Sequence, residues 1–255
     1  MSIVTAAAGQ VLRIEIARPQ KKNAITGAMY GELAAALRAA GSDAAVRAVV
    51  LHGSREIFTA GNDLEDFLHA GSGPLEQRPA AAFMAALTSI EKPVVAAVNG
   101  AAVGIGTTML LHCDLAYCAD DAMFSMPFVS LGLCPEFASS LLLPIAAGAK
   151  RAAEKLMLGE PISPEEAVEM GLVNRILAAG EVQDYALRQA ARLAALPPNA
   201  VRTTKRLLKT HWKAAVERAI AEEGAAFTEL LGSAEAKEAF TAFLEKRKPD
   251  FSRSG

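Results

Sequence analysis

The stretch KPVVAAVNGAAVGIGTTMLL, residues 92–111, decides how this chain folds. Its apolar run VVAAV follows a proline and is typical of a buried strand. Asn99, three glycines and two threonines then interrupt the apolar sequence. A membrane span needs about twenty predominantly apolar residues without such interruptions. The stretch therefore predicts a strand, a tight turn and a helix inside a protein core.

Strands and helices alternate around this stretch. Further strands are predicted in QVLRIEIAR (10–18), RAVVLHG (47–53) and DLAYCA (114–119). A helix is predicted from a cap at Thr26 to Ala40, and residues 71–79 are predicted to form a surface loop.

The C-terminal part of the chain has a different pattern. From Ser163 onward it is helical, with a helix over 181–196 that ends at the Pro197-Pro198 break. This order predicts an α/β core over residues 1–196 and a helical C-terminal region over residues 197–255.

The composition describes a globular protein without a strong charge. Hydrophobic residues make up 52% and charged residues 21% of the 255 residues, and the formal net charge is −2. No basic field favours nucleic acid or an anionic membrane, so neither is expected as a partner.

Cysteine and histidine usage indicates neither a disulfide framework nor a metal site. The three cysteines and four histidines show no CxxC or HxxxH spacing, which points to a reducing compartment. The N-terminal sequence MSIVTAAAGQ lacks the positive region and apolar core of a signal peptide. A cytoplasmic location is therefore the default expectation.

Two glycine-rich turns share one design, a strand followed by small residues and a helix start. They are FTAGNDL (58–64) and NGAAVGIGTTM (99–109). Tight turns with capped helices explain either one alone. Together they can supply two backbone N–H donors to one developing oxyanion. The second turn does not match GxGxxG, so nucleotide binding is a poorer interpretation.

The segment SLGLCPEFASSLLLPIAAG, residues 130–148, contains one charged residue, Glu136. One interpretation is that Pro135 begins a helix whose dipole Glu136 complements. The other is a general base held among apolar residues, since burial raises the pKa of a carboxyl group. The sequence offers no GxSxG nucleophile elbow that would compete with this base.

These motifs resemble the enoyl-CoA hydratase/isomerase, or crotonase, superfamily. The resemblance rests on ARPQKKNAIT, VRAVVLHG, FTAGNDLEDF, KPVVAAVNGAAVGIG, CDLAYCADDAMFSMPF, LGLCPEFASSLLLP and EAVEMGLVNRI, which occur in the family's order. It implies an α/β fold built as a spiral of ββα units, with a helical C-terminal trimerisation region. It also implies a homotrimer or hexamer that acts on an acyl-CoA thioester. Coenzyme A then arrives with the substrate, and no separate cofactor or metal is expected.

Site residues follow from the resemblance by position. The backbone N–H groups of Asn62 and Ile105 match the pair that holds the thioester oxygen. Lys22 and Asn23 match a loop near the nucleotide end of coenzyme A, where Lys22 is expected to contact phosphate. The remaining predicted substrate contacts in the two turns are Ala60, Gly61, Asp63, Leu64 and Gly104.

The reaction is predicted from a difference within the superfamily. The hydratases use two glutamates, and the matching positions here hold Thr108 and Phe128. Glu136 instead matches the single glutamate of the peroxisomal-type Δ3,Δ2-enoyl-CoA isomerases, although Phe137 stands where glycine is common. We therefore expect an enoyl-CoA isomerase with Glu136 as its acid/base group.

Two alternatives stay open at this point. One is another thioester reaction on the same fold, such as atypical hydration, dienoyl isomerisation or hydrolysis. The other is a catalytically silent acyl-CoA-binding protein.

Overall fold

A computed structural model describes residues 2–69 and 78–253. The strands are β1 Ile3–Ala8, β2 Val11–Ile16, β3 Ala48–His52, β4 Val94–Val98, β5 Ala101–Val103, β6 Leu115–Ala119, β7 Met123–Ser125 and β8 Arg175–Leu177. The helices are α1 Gly27–Ser42, α2 Leu64–His69, α3 Pro79–Ser89, α4 Ile105–Thr108, α5 Ser139–Ala147, α6 Ala149–Leu158, α7 Pro164–Glu169, α8 Val182–Ala195, α9 Pro198–Thr210, α10 Lys213–Leu231 and α11 Ala234–Leu244. The mixed α/β architecture with a helical C-terminal region confirms the predicted fold class.

A six-stranded sheet forms the centre of the fold, in the order β1-β2-β3-β4-β6-β8. Strands β1 and β2 pair antiparallel, and each later pair in this sheet is parallel. Every residue of β3 and β4 is buried, because a parallel sheet carries helices over its faces. All four predicted strands are present: VVAAV is β4, and the three strands predicted around it are β2, β3 and β6.

Strands β5 and β7 form a second, two-stranded parallel sheet beside the first. Gly100 lies in the turn that connects β4 to β5, and its φ is +58°. A Cβ atom there would lie 2.1 Å from the carbonyl oxygen of Glu56, so only glycine fits the turn. The order β4, β5, α4 is one ββα unit, and the sequence NGAAVGIG contains its second strand as well as its turn.

Two local predictions need correction, and strands β1, β5 and β7 lie where no strand was predicted. Strand β8 interrupts the region from Ser163 onward that was predicted to be helical throughout. Helix α5 begins at Ser139, so Pro135 and Glu136 lie in the preceding loop and not in a first helical turn.

The ends of several predicted elements agree closely with the structure. Thr26 caps α1 by accepting a hydrogen bond from the N–H of Met29 at 3.3 Å. Helix α8 occupies all but the ends of the predicted range 181–196. Residues 71–77 of the predicted loop over 71–79 lie outside the described residues. Helix α3 begins at Pro79, the last residue of that predicted loop.

The C-terminal helices fold back over the core. Helix α10 packs against α5, and α11 packs against the short 3-10 turn Val129–Leu131. Among the described helices, none is both long enough and apolar enough to span a membrane. Helix α10 supplies one wall of the cleft that Glu136 lines.

Candidate active site

Backbone pairing brings the two glycine-rich turns into contact. The N–H of Thr59 donates to the carbonyl of Ala101, and the N–H of Val103 donates back to Thr59, both at 3.0 Å. Gly61 has φ +84°, and a Cβ atom on it would lie 2.6 Å from the carbonyl oxygen of Val103. Glycine at this position therefore allows the first turn to lie directly on the second.

Two backbone amide groups of these turns belong to residues that line the same cleft. The N–H of Ile25 donates to the carbonyl of Gly61, and the carbonyl of Ile25 accepts from the N–H of Asp63. Because Asn62 lies between these two residues in a parallel bridge with Ile25, its own N–H faces away from Ile25. Ile105 is the first residue of α4, and its N–H has no partner within the helix. Within residues 2–69 and 78–253, neither N–H donates to another group of the chain. Asn62 and Ile105 line one cleft together with Glu136.

Glu136 lies on that cleft, and only 8% of its surface is exposed. The hydroxyl of Thr108 donates to its Oε1 at 2.5 Å. Burial raises the pKa of Glu136 to about 8, the Thr108 hydrogen bond opposes the rise, and the charge of Glu223 adds to it. Thr108, which the resemblance matches to a glutamate of the hydratases, is here a hydrogen-bond donor to Glu136.

Glu223 on α10 fixes the turn that follows Glu136. Its carboxylate accepts hydrogen bonds from the N–H of Ala138 at 2.6 Å and from the N–H and hydroxyl of Ser140 at 2.9 and 2.5 Å. Burial raises the pKa of Glu223, and these hydrogen bonds oppose the rise. Sequence reasoning missed this residue because it lies 87 positions from Glu136 in a helix that reads as a charged surface.

Phe137 forms part of the apolar wall beside Glu136. It has φ +58° and is 1% exposed, which explains why glycine is a natural residue at this turn. Its ring stacks on the ring of His112 with centroids 3.9 Å apart. Phe128 and Leu133 are also buried, and the Phe128 ring lies 3.9 Å from where a Cβ on Gly104 would stand.

Tyr30 also lines the cleft, and its hydroxyl donates to Oδ1 of Asn62 at 2.5 Å. Burial, followed by the charge of Glu136, raises the pKa of Tyr30 well above its usual value. The residue is therefore neutral and acts as a donor that fixes the Asn62 side chain. In the sequence it reads as a core position of α1, because helical periodicity places it beside Leu33 and Ala34.

Asp63 is the one further predicted contact that lines the cleft among the described residues, whereas Lys22, Asn23, Ala60, Gly61, Leu64 and Gly104 do not line it. Asp63 lines the cleft, caps α2 through the N–H of Asp66, and pairs with Arg18 at 2.6 Å. Burial alone would raise the pKa of Asp63, but the hydrogen bonds from Arg18 and Asp66 outweigh it and lower the pKa. Ala60 and Leu64 are half-buried beside it.

Asn23 does not present its side chain to a ligand, which differs from the expectation. It is 0% exposed; its Oδ1 accepts from the N–H of Arg18 at 2.8 Å, and its Nδ2 donates to Ile57 at 3.0 Å. Asn23 therefore holds the loop against the first turn. Lys22 is exposed at φ +52°, and its carbonyl accepts from the N–H of Ala60 at 3.0 Å.

The cleft combines one buried acid with two backbone amide groups that donate to no other group of the described residues. Such donors stabilise negative charge on an oxygen, and a carboxyl group with a pKa near neutrality transfers protons efficiently in both directions. In the described ranges, no cluster of three or more His, Cys, Asp or Glu side chains is arranged to hold a metal ion.

Comparisons with known proteins give the family. A model described as enoyl-CoA hydratase/isomerase matches residues 6–254. The 2,3-dehydroadipyl-CoA hydratase of Escherichia coli (strain K12) is 31% identical over 242 residues, 95% of each chain. Enoyl-CoA delta isomerase 2 of Rattus norvegicus is 36% identical over 216 residues, 83% of this chain and 55% of that protein.

A solved structure shares the fold over nearly the whole chain. Pseudomonas aeruginosa OdaA has 47% identity and a TM-score of 0.93, over 95% of this chain and 98% of its own. Because the similar proteins include both a hydratase and an isomerase, the predicted isomerase branch is one of several that are similarly related. The chain belongs to the enoyl-CoA hydratase/isomerase, or crotonase, superfamily.

Proposed function

We propose that this protein converts 3-enoyl-CoA thioesters into 2-enoyl-CoA thioesters, with Glu136 as its acid/base group. The observation that carries this proposal is the environment of Glu136. It is a buried carboxyl group in an apolar cleft, its pKa is raised to about 8, and it shares that cleft with Asn62 and Ile105.

The reaction begins with the thioester oxygen between the N–H groups of Asn62 and Ile105. The carboxylate of Glu136 takes a proton from C2, and the electrons of the C2–H bond form a dienolate whose negative charge rests on that oxygen. The protonated carboxyl then delivers the proton to C4, which moves the double bond from C3–C4 to C2–C3. No atom is gained or lost, and Glu136 returns to its starting state.

Thr108 gives the two carboxylate oxygens different tasks. Its hydroxyl donates a hydrogen bond to Oε1 of Glu136, so Oε2 is the oxygen that exchanges protons with the substrate. The same hydrogen bond stabilises the ionised form, so it keeps part of the Glu136 population active near neutral pH.

Isomerisation is favoured over hydration because of what stands at the two hydratase positions. Hydration requires a second carboxylate to activate water, whereas Thr108 and Phe128 cannot ionise near neutral pH. Phe128 is buried against the turn that contains Gly104, so this part of the site is apolar.

The test is an incubation with a 3-enoyl-CoA and, separately, a 2-enoyl-CoA, followed by mass analysis and by deuterium exchange in heavy water. In ordinary water we expect a 2-enoyl product of unchanged mass that separates from the 3-enoyl substrate on chromatography. In heavy water we expect deuterium exchange at C2. A product heavier by one water would instead support hydration. Tight binding of thioester without exchange at C2 would support a catalytically silent binding protein.

We further propose that the protein assembles as a homotrimer or hexamer. Several large apolar side chains are exposed on the C-terminal helices of the single chain and in the turn between α9 and α10, namely Leu207, Leu208, Trp212, Phe243 and Leu244. Exposed apolar groups of this kind favour burial between copies. Sedimentation equilibrium measures the assembly, and a monomer at micromolar concentration would overturn the proposal.

A further inference from the structure

Two cavities lie on opposite sides of the Phe137–His112 ring pair. Phe137 lines the cleft that contains Glu136, and His112 lines a larger, solvent-open cavity bounded by α3, α9 and α10. Ile220 on α10 lines both. The stacked rings, with Ile220 beside them, therefore form the partition between the two spaces.

The partition is held in place on several sides. The ring planes of Phe137 and His112 are 20° apart, and Phe83 packs against Phe137 with centroids 6.2 Å apart. His112 Nε2 lies 2.7 Å from the carbonyl oxygen of Phe137. Burial lowers the pKa of His112 to about 4, so the ring is neutral and Nε2 is the donor in this bond.

The backbone conformation at position 137 favours glycine, so a phenylalanine there is conformationally unfavourable. Phe137 and Ala138 both have φ near +57°, where a residue with a side chain is strained. Glycine would relieve the strain at position 137, yet the chain places its ring there. The stack on His112 offsets that strain, since aromatic pairs at this spacing attract each other.

We propose that the Phe137–His112 pair closes the acyl end of the cleft and makes this protein selective for short acyl chains. The inference rests on the proposed function, because it takes the cleft to be the acyl-CoA site. The cleft has about 60 Å³ of solvent-accessible volume, against about 420 Å³ in the cavity behind the partition. A longer chain would have to displace buried aromatic rings to reach that space.

Binding measurements on saturated acyl-CoAs test this without relying on turnover. We expect the Kd of the native protein to stop falling between hexanoyl-CoA and dodecanoyl-CoA. In Phe137→Gly, each additional methylene that enters the opened space should lower Kd by up to about fourfold. A native Kd that falls steadily to dodecanoyl-CoA would overturn the proposal even if the variant failed to fold.

Met84→Ala is the matched control. Met84 lines the cleft but not the second cavity, so its truncation widens the cleft and leaves the stacked pair intact. It can admit only the few methylenes that take the place of the Met84 side chain, so its Kd should still stop falling before dodecanoyl-CoA. If Met84→Ala gained long-chain binding as Phe137→Gly does, general widening would explain the effect and the partition would not.

The same variants separate failure of this inference from failure of the proposed function. Isomerisation of 3-hexenoyl-CoA and 3-dodecenoyl-CoA is measured in parallel. Turnover with equal length preference in the native protein and Phe137→Gly would defeat the partition alone. Absence of turnover at every length, with the length-dependent Kd as expected, would defeat the isomerase and leave the partition standing.

Discussion

The two halves of the candidate site are built in different ways. The first, which we propose binds the oxyanion, consists of backbone N–H groups in two turns, and each turn is a short sequence motif shaped by glycine. The second, the proposed acid/base half, is the Glu136 side chain, whose pKa depends on its burial, on Thr108 of α4 and on Glu223 of α10. A backbone site depends on local conformation, whereas a tuned carboxyl depends on contacts between distant segments.

The largest expected effect belongs to the acid/base half. Glu136→Gln keeps the shape of the side chain but cannot transfer protons, so kcat for isomerisation should fall by roughly 10²–10⁴-fold. Steady-state kinetics on a 3-enoyl-CoA measures this, with circular dichroism to check folding. Retention of native turnover would remove Glu136 from the mechanism.

The same variant also tests the pKa through stability. The folded-state pKa of about 8 lies above the ordinary value of 4.5, so the favourable contribution of neutral Glu136 is complete below pH 4.5. That contribution is lost as the pH rises from 4.5 to about 8. Urea unfolding should show the native protein losing stability relative to Glu136→Gln across this range, and equal profiles would contradict the raised pKa.

The next largest effect belongs to the backbone half. Gly61→Ala places a Cβ 2.6 Å from the carbonyl of Val103, so the two turns must separate and the N–H of Asn62 is displaced. Loss of one oxyanion donor lowers kcat by roughly 10²–10³-fold.

Gly9→Ala is the control for Gly61→Ala. Gly9 also has positive φ, +60°, but a Cβ there meets no atom within 4 Å. It should lower stability by about 1–2 kcal/mol, because a Cβ is unfavourable at positive φ, and leave kcat unchanged. Equal kinetic losses in both variants would mean that backbone strain, and not the contact between the turns, is responsible.

Thr108→Val should produce a smaller loss and a measurable shift in pH dependence. In the native protein, kcat/KM is expected to rise with pH and level off above about 8, because the free enzyme needs the Glu136 carboxylate. Removing the Thr108 donor raises that pKa, so the midpoint moves to higher pH. The lost hydrogen bond to a charged group corresponds to a decrease of roughly tenfold or more at pH 7.

Glu223→Gln should give the smallest change, in the opposite direction. It removes a negative charge that raises the pKa of Glu136, so the midpoint of the kcat/KM profile should move to lower pH. Glu222→Gln, at the neighbouring exposed position, should leave the midpoint in place. A shift to higher pH in Glu223→Gln would show that its contacts with Ala138 and Ser140 matter more than its charge.

The two halves also differ in how well the sequence predicts them. The turns, the strands that lead into them and the cap at Thr26 follow from apolar runs, glycines and polar caps, all of which act within a few residues. The short strands β5, β7 and β8 were not predicted, because three residues in a ladder carry too little periodicity. The resemblance places Asn23 near a ligand, but both ends of its side-chain amide form hydrogen bonds within the protein, to Arg18 and to Ile57.

The sequence by itself determined the α/β class, the two turns and the presence of a carboxyl group among apolar neighbours, because each is a property of adjacent residues. Only the tertiary structure decided that Thr108 bonds to Glu136, that α10 brings Glu223 to the same turn, and that His112 stacks on Phe137. The physical reason is that desolvation, charge and ring stacking act through space. Their strength depends on which distant segments the fold brings within a few ångströms of one carboxyl group.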